Sequence, residues 1–286
     1  MTIHEATDRL FTALKALYDE REAGNITELV LEKITGWSKI DRILNKQVRL
    51  SAAMKESFLK YETALQDRQP VQYVLGESWF MGMKFFVNGS VLIPRPETEE
   101  LVEWVMQHVS TSSMDNPFSI LDIGTGSGII AIALNKKLPH TYINACDVSV
   151  AALAVAERNA SEHNVSVCFT PCDFLDLQQQ ALLPVVDVVV SNPPYIPLDE
   201  RATLARHVSE HEPVIALFVE NDPLQFYKAI AEFCKTHLKP EGCLFVEVHQ
   251  EYGRDVQALF NANGYKNIEL RKDMQGNDRM LKAVIT

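Results

Sequence analysis

Up to about Gln69 the apolar positions recur at helical spacing. In EATDRLFTALKALYDERE, Leu10, Leu14, Leu17 and Tyr18 fall on one face, which predicts an amphipathic helix stopped by Gly24. Thr27 is the expected N-cap of a second helix, ELVLEKIT, ended by Gly36. SKIDRILNKQ and SAAMKESFLKYETALQDRQ follow, each opened by a serine, and Pro70 closes the series. Short polar breaks between amphipathic helices predict a small helical bundle.

The pattern then changes. YVLGESWFMGMKFFVNGSVLIP is rich in aromatic and β-branched residues, and Asn88-Gly89 is a hairpin signal, so a β-hairpin is expected between Gly76 and about Ile93. The helix ETEELVEWVMQHV comes next. From SILDIG onward, strands and helices alternate. The strands are SILDIG, TYINACDV, VSVCFT, VVDVVVSN and GCLFVEVHQ; the helices are GIIAIALNKKL, AALAVAERNASEH, PLQFYKAIAEFCKTHL and YGRDVQALFNANG. Such alternation predicts a doubly wound, mostly parallel α/β sheet. YKNIELRKD and DRMLKAVIT at the end read as an antiparallel hairpin on its edge.

Composition narrows the class. The 286 residues are 47% hydrophobic, enough for more than one core. No apolar run is long enough for a membrane span, and MTIHEATDRL lacks the basic-then-apolar pattern of a secretory signal. The five cysteines form no CxxC pair and are expected as free thiols in a cytoplasmic protein. Charge is unevenly spread. Residues 1–75 hold 11 basic and 11 acidic side chains, so the remainder carries the whole net charge of −11. A duplex-binding catalytic domain would show a basic footprint, and no direct nucleic-acid or membrane partner is expected.

The loop LDIGTGSG joins the first sheet strand to its helix, the corner where ligands bind in such folds. Its spacing is GxGxG, not the dinucleotide GxGxxG. Asp122, just before Gly124, would repel a pyrophosphate and attract a cation. Asp147 ends the next strand, 19 residues after Gly128, where a carboxylate can accept from both ribose hydroxyls. After the third strand, Asp173 can take an adenine amino group and Phe174 can cover the ring. Asp122 and Asp147 could each instead cap a helix. Three such sites at three strand ends favour S-adenosylmethionine as the ligand, with S-adenosylhomocysteine as product and no metal.

VVVSNPPYIP ends the fourth strand, with Asn192 lying 64 residues after Gly128. A planar –NH2 nitrogen is a poor nucleophile because its lone pair is delocalised. The Asn192 side-chain carbonyl and the Pro193 backbone carbonyl can accept its two N–H groups, so that the nitrogen pyramidalises toward a methyl donor. Pro194 biases Pro193 to an extended conformation, and Tyr195 can stack on the planar group. A simple strand-ending Pro-Pro turn is the alternative.

DIGTGSG, Asp147, NPPY, the upstream LIPRPETEELVE and the helical N-terminal part together resemble the HemK family, protein-(glutamine) methyltransferases acting on class I peptide-chain release factors. The resemblance covers nearly the whole chain. NPPY is shared with methyltransferases of nucleic-acid amino groups, whereas IPRPETE with GESWFMGMKFFV is more specific. It implies a class I S-adenosylmethionine-dependent methyltransferase fold, with residues 1–75 a substrate-recognition domain, 76–95 a hairpin linker and 96–286 the catalytic domain. It implies that Gly124, Thr125, Gly126, Ser127 and Gly128, with Asp147, Phe174 and Asn192, contact the methyl donor. It also implies that Asn192, Pro193 and Tyr195 hold a glutamine amide. The sequence departs from the family pattern at Phe174, where tryptophan is frequent, and at FVENDPL, around Asn221, where the family has a glycine-rich loop.

Three signals are discounted or left open. His207 to His211, HVSEH, matches an inverted zincin pattern, but a solvated helix face is the expected reading. Arg95 could reach a substrate, or could be a turn residue in an ion pair. His249 is expected as a satisfied core histidine. The rival enzyme reading is methylation of an exocyclic amino group in RNA or DNA, and the non-enzyme reading a binding module that has lost catalysis.

Overall fold

The computed structural model describes residues 1–111, 117–220 and 222–285. Asn221, on the departing loop, lies outside the described residues. The chain divides into two compact units, Met1–Glu77 with Ala205–His211, and Ser78–Leu204 with Glu212–Thr286.

In the first unit the long helices are Ile3–Leu14, Glu20–Thr35 and Ala52–Gln66, with short ones at Lys39–Leu44 and Val71–Leu75. Ala6, Leu10, Leu14, Val30, Phe58 and Leu65 form their shared core. The expected break at Gly24 is corrected. Gly24 and Thr27 both lie inside Glu20–Thr35, and the buried Thr27 hydroxyl donates to the Ala23 carbonyl at 2.8 Å. The break falls earlier because Asp19 is the N-cap, its carboxylate accepting from the Glu22 N–H at 2.8 Å. Gly36 ends that helix with φ 68°, and Ser38 and Ser51 cap the helices they open. Pro70 begins the short helix Val71–Leu75 rather than closing the series.

The second unit opens with a hairpin, β1 (Ser78–Phe80) and β2 (Met83–Phe85). Its turn is Met81-Gly82, with φ 51° and 72°, not Asn88-Gly89. Asn88 instead makes a separate turn, accepting the Ser90 N–H on its side chain at 2.9 Å. After the helix Pro96–Thr111 come β3 (Ser119–Ile123), β4 (Tyr142–Asp147), β5 (Val167–Pro171), β6 (Val186–Ser191), β7 (Ile196–Pro197), β8 (Phe218–Val219), β9 (Leu238–Glu247), β10 (Lys266–Lys272) and β11 (Asp278–Val284). Seven of these form one sheet in the order β10-β11-β9-β6-β3-β4-β5. Strands β3, β4, β5, β6 and β9 are parallel, and β11 runs antiparallel between β9 and β10. Strand β6 is buried along its whole length, as its valine run predicts. The chain leaves β3 toward β4 and β5, then returns to β6 on the other side. This reversal opens a crevice at the carboxyl ends of β3, β4 and β6.

Gly128 starts the helix Ile129–Lys137 with φ 81°, and an added Cβ would meet Ile132 Cδ1 at 2.9 Å and Ala156 Cβ at 3.0 Å. Gly264 also has positive φ, 87°, but nothing stands within 4 Å of its added Cβ. Gly264→Ala should therefore cost only the left-handed backbone strain, roughly 1–2 kcal/mol. Gly128→Ala adds overpacking of roughly 1–3 kcal/mol. Urea unfolding of the two variants checks this; equal losses would show that the helix contacts at Gly128 relax freely.

Candidate active site

The crevice holds a cavity of about 580 Å³, of the size that encloses a drug-sized ligand. The glycine loop forms one wall. The Gly124 and Thr125 N–H groups donate to the Cys146 carbonyl at 2.9 and 3.0 Å, which ties the loop to the end of β4. Gly124 and Gly126 line the cavity at φ 72° and 55°, and an added Cβ on either would meet nothing within 4 Å. The backbone is thus bare where a ligand can approach closely. Asp147 lines the cavity too. One of its oxygens accepts the Gly126 N–H at 2.8 Å and the other the Ser149 N–H at 2.9 Å. Burial pushes its carboxyl up, and these backbone donors oppose the shift. A carboxylate has about four acceptor positions, so Asp147 can brace the loop and still accept from a ligand.

Asp122 sits differently. Its side chain is fully buried and does not line the cavity. Oδ2 accepts the Thr125 hydroxyl at 2.6 Å, while Oδ1 has no partner among the described residues. Burial pushes this carboxyl up to about 7, against the pull of the Thr125 hydroxyl. Thr125 and Ser127 are likewise buried off the wall, and Gly128 is packed between helices.

Asp173 and Phe174 line the cavity beyond β5. Asp173 is exposed, whereas Phe174 is buried, its ring edge-on to Phe233 at 5.2 Å and 72°. Its backbone carbonyl accepts from the Gln180 amide. At the end of β6 the Ser191 hydroxyl donates to the Ile123 carbonyl at 2.7 Å, locking β6 to β3. Asn192, Pro193 and Pro194 then form part of the wall, at the end of the strand that neighbours β3. Next, β7 pairs in parallel with β8, carrying the chain toward the Phe218-Val219 wall.

Tyr195 is not on the wall. Its hydroxyl donates to Glu247 Oε1 at 3.1 Å, its ring lies 5.6 Å from His249, and burial pushes its phenol up. Arg95 is also off the wall, paired with the fully buried Glu212 carboxylate at 2.7 Å. The other Glu212 oxygen accepts the Ile93 N–H at 3.2 Å. His249 is half-buried between the Tyr195 and Tyr252 rings, and burial lowers its imidazole. His211 Nε2 lies 3.2 Å from the Asp67 carbonyl. Among the described residues no cluster of histidine, cysteine or acidic side chains could hold a metal ion.

Sequence reasoning missed the walls made by Ser90–Leu92, by Val214–Ala216 in a single helical turn and by the two-residue strand β8, all too short to carry a periodic signal. It also missed Glu247, which carries no motif, and gave no role to Thr98, although Thr98 lies within the quoted IPRPETE. The described lining residues include Asp147, Asp173 and Glu220, and no lysine, arginine or histidine. That field suits a cationic ligand and repels phosphate.

Comparison with known proteins bears on family and fold. The family model described as PrmC N-terminal domain matches residues 5–76, and that of the Methyltransferase small domain matches 103–209. The release factor glutamine methyltransferase of Flavobacterium psychrophilum is 40% identical over 288 residues, 99% of each chain. The protein of the same name from Bacteroides thetaiotaomicron is 37% identical, over 95% of this chain and 96% of that one. Among solved structures, the hMettl16 catalytic domain in complex with MAT2A 3'UTR hairpin 6 superposes with a TM-score of 0.55 at 18% identity, covering 85% of each chain. A methyltransferase from Pyrococcus furiosus gives 0.52 at 15% identity, over 82% of this chain and 98% of that one. The two superpositions show a class I methyltransferase fold.

Asp122 makes stability depend on pH. Unfolded, its carboxyl titrates near 3.9; folded, near 7. Between these values the folded state alone holds the proton, so this group makes stability fall as pH rises through the window and levels off above it. Asp122→Asn should make that fall shallower by up to about 1.4 kcal/mol per pH unit. Urea titrations from pH 4 to 8 check it; a slope identical to wild type would show that Asp122 is ionised throughout.

Proposed function

The chain belongs to the release factor glutamine methyltransferase family, and from that membership we propose that it methylates the side-chain amide nitrogen of the glutamine in the Gly-Gly-Gln loop of class I peptide-chain release factors, with S-adenosylmethionine as donor. The observation that carries the reading is one cavity that joins a bare glycine loop and a strand-end carboxylate to the Asn192-Pro193 corner, without a basic residue in its described lining. When bound, S-adenosylmethionine supplies an electrophilic methyl carbon on a sulfonium. Gly124 and Gly126 let the backbone approach it, Asp147 accepts from its ribose hydroxyls, and Phe174 covers its adenine. The exposed Asp173 accepts from the adenine amino group. Asp122 acts at one remove, by holding Thr125.

The acceptor amide needs two hydrogen-bond acceptors and no strong base. The Asn192 side-chain carbonyl and the Pro193 backbone carbonyl take its two N–H groups, which draws the nitrogen lone pair out of conjugation. Holding the nitrogen at reacting distance lowers the entropic part of the barrier. As the N–C bond forms, the methyl C–S bond of the donor breaks and its electron pair stays on sulfur, which leaves as the neutral thioether; the nitrogen is then cationic, and it loses one proton to water. Tyr195 supports the corner from behind, through Glu247. The formally neutral helical segment 1–75 is assigned to substrate recognition, and the site of action is the cytoplasm, where release factors work. Methylation of an RNA or DNA amino group is disfavoured by the acidic lining, since the phosphates flanking such a base would meet Asp147, Asp173 and Glu220.

Two measurements test the donor and the acceptor. In calorimetry, Asp147→Ala should weaken S-adenosylmethionine by about 1–3 kcal/mol, the range for lost charged hydrogen bonds; unchanged affinity would remove the ribose assignment. Mass spectrometry of a release factor incubated with protein and donor should show one added methyl on the Gly-Gly-Gln glutamine. Replacing that glutamine by asparagine shortens the side chain by one methylene, a displacement of about 1 Å that costs on the order of a hundredfold in rate. Label in RNA, or equal rates on both substrates, would sink the acceptor assignment.

A further inference from the structure

An asparagine amide can present either end to a ligand, and the two ends are opposite in hydrogen-bonding sense. The proposed reaction needs the Asn192 carbonyl toward the acceptor amide, because an amide –NH2 there would face another donor. Asn192 Nδ2 lies 3.2 Å from Thr98 Oγ1. The Thr98 hydroxyl in turn lies 2.7 Å from Glu247 Oε2. Thr98 and Glu247 are each 1% exposed, so water does not enter between them. The other Glu247 oxygen accepts the Tyr195 hydroxyl at 3.1 Å, and the Glu247 backbone carbonyl accepts the Tyr227 hydroxyl at 2.9 Å. Burial pushes the Glu247 carboxyl up, while the Thr98 and Tyr195 hydroxyls and the nearby Arg279 charge pull the other way, toward the ionised form.

Each side-chain oxygen of Glu247 faces a hydroxyl donor, Thr98 at 2.7 Å and Tyr195 at 3.1 Å, so the group accepts from both and the single Thr98 hydroxyl proton is committed to it. The Thr98 oxygen then offers lone pairs alone. Only the –NH2 end of Asn192 can bond to it, and the Asn192 carbonyl oxygen, which takes no other partner among the described residues, is left for a ligand N–H. We propose that Thr98 and Glu247 are positioning residues that set the hydrogen-bonding sense of Asn192, through a one-way chain running from the Asn192 amide through the Thr98 hydroxyl to the buried carboxylate. This rests on the reading of Asn192 as the acceptor of the substrate amide. It also gives the NPPY corner a dependence on residue 98, in the first turn of the helix Pro96–Thr111 and far from it in sequence.

The test uses the full chain with its asparagine side chains labelled with nitrogen-15. Thr98→Val keeps the shape and removes the hydroxyl; Thr98→Ser keeps the hydroxyl. In Thr98→Val the Asn192 side-chain amide resonance should shift and its protons exchange faster, and in Thr98→Ser both should stay near wild type. With a release factor as substrate, kcat should fall about 10- to 100-fold in Thr98→Val, while KM for S-adenosylmethionine holds within about twofold and Thr98→Ser stays within about threefold of wild type. Thr98→Ala, read in the same way, replaces the valine variant if that one does not fold. An Asn192 amide unchanged in the variants lacking the hydroxyl, or an undiminished kcat in them, overturns the chain. If wild-type protein does not methylate the release factor, the proposed function fails, and the amide resonance alone still decides whether Thr98 sets Asn192.

Discussion

Carboxylates taken out of water at the carboxyl ends of parallel strands shape everything around them. Asp122 lies near the end of β3, Asp147 ends β4 and Glu247 ends β9. A desolvated carboxylate is costly unless hydrogen-bond donors reach it, and a sheet end supplies few, because its strand N–H groups are already paired. The donors come from the loops. Thr125 turns to Asp122, the Gly126 and Ser149 N–H groups turn to Asp147, and Thr98 and Tyr195 turn to Glu247. Each loop takes the path that satisfies its acid, and the cavity is the space those paths enclose. At Asp122, where one oxygen has no partner among the described residues and only the Thr125 hydroxyl and the Ala131 N–H oppose burial, the remaining cost appears as a carboxyl that holds its proton to about pH 7.

The segment IPRPETEE gains physical content from the same constraint. Arg95 pairs with Glu212, Thr98 bonds to Glu247, Glu99 accepts the Met81 N–H of the hairpin turn at 2.6 Å, and Glu100 accepts the Met274 N–H at 3.2 Å. Four side chains within six residues thus reach four separate parts of the second unit. Two of those ties enclose the cavity. The Arg95–Glu212 pair joins the chain next to the Ser90–Leu92 wall with the chain next to the Val214–Val219 wall, and Thr98 stands behind Asn192. The motif that carried the family resemblance outside the methyl-donor loop is therefore a bracing element of the cavity.

Charge acts at two scales. The net charge of −11 constrains partners only coarsely, since a local basic patch can hide inside an acidic total. The described cavity lining answers the local question, with three acids and no basic side chain. The RNA-bound hMettl16 domain shares the fold at 18% identity, so the sheet by itself does not discriminate between acceptors.

What the sequence determined by itself is what neighbouring residues settle among themselves. The alternating βαβ order, the valine run of β6, the Ser38 and Ser51 caps and the backbone freedom of Gly124 and Gly126 were all legible, because periodicity and φ are local properties. Gly124, Gly126, Asp147, Asp173, Phe174, Asn192, Pro193 and Pro194 lie at or just after strand ends, and they share one cavity because strands in a parallel sheet end together. Local signals misled where two candidates competed a few residues apart, as with Asp19 against Thr27 for a helix start and Met81-Gly82 against Asn88-Gly89 for a turn. Only the tertiary structure decided which way each side chain faces. Asp122 and Ile123 are adjacent, yet alternation along β3 sends Asp122 into the core and leaves Ile123 on the cavity. Thr98 and Glu247 stand 149 residues apart and became partners because both are buried at one place. Compensation of a buried charge is a demand of position in space, and no spacing along the chain encodes it.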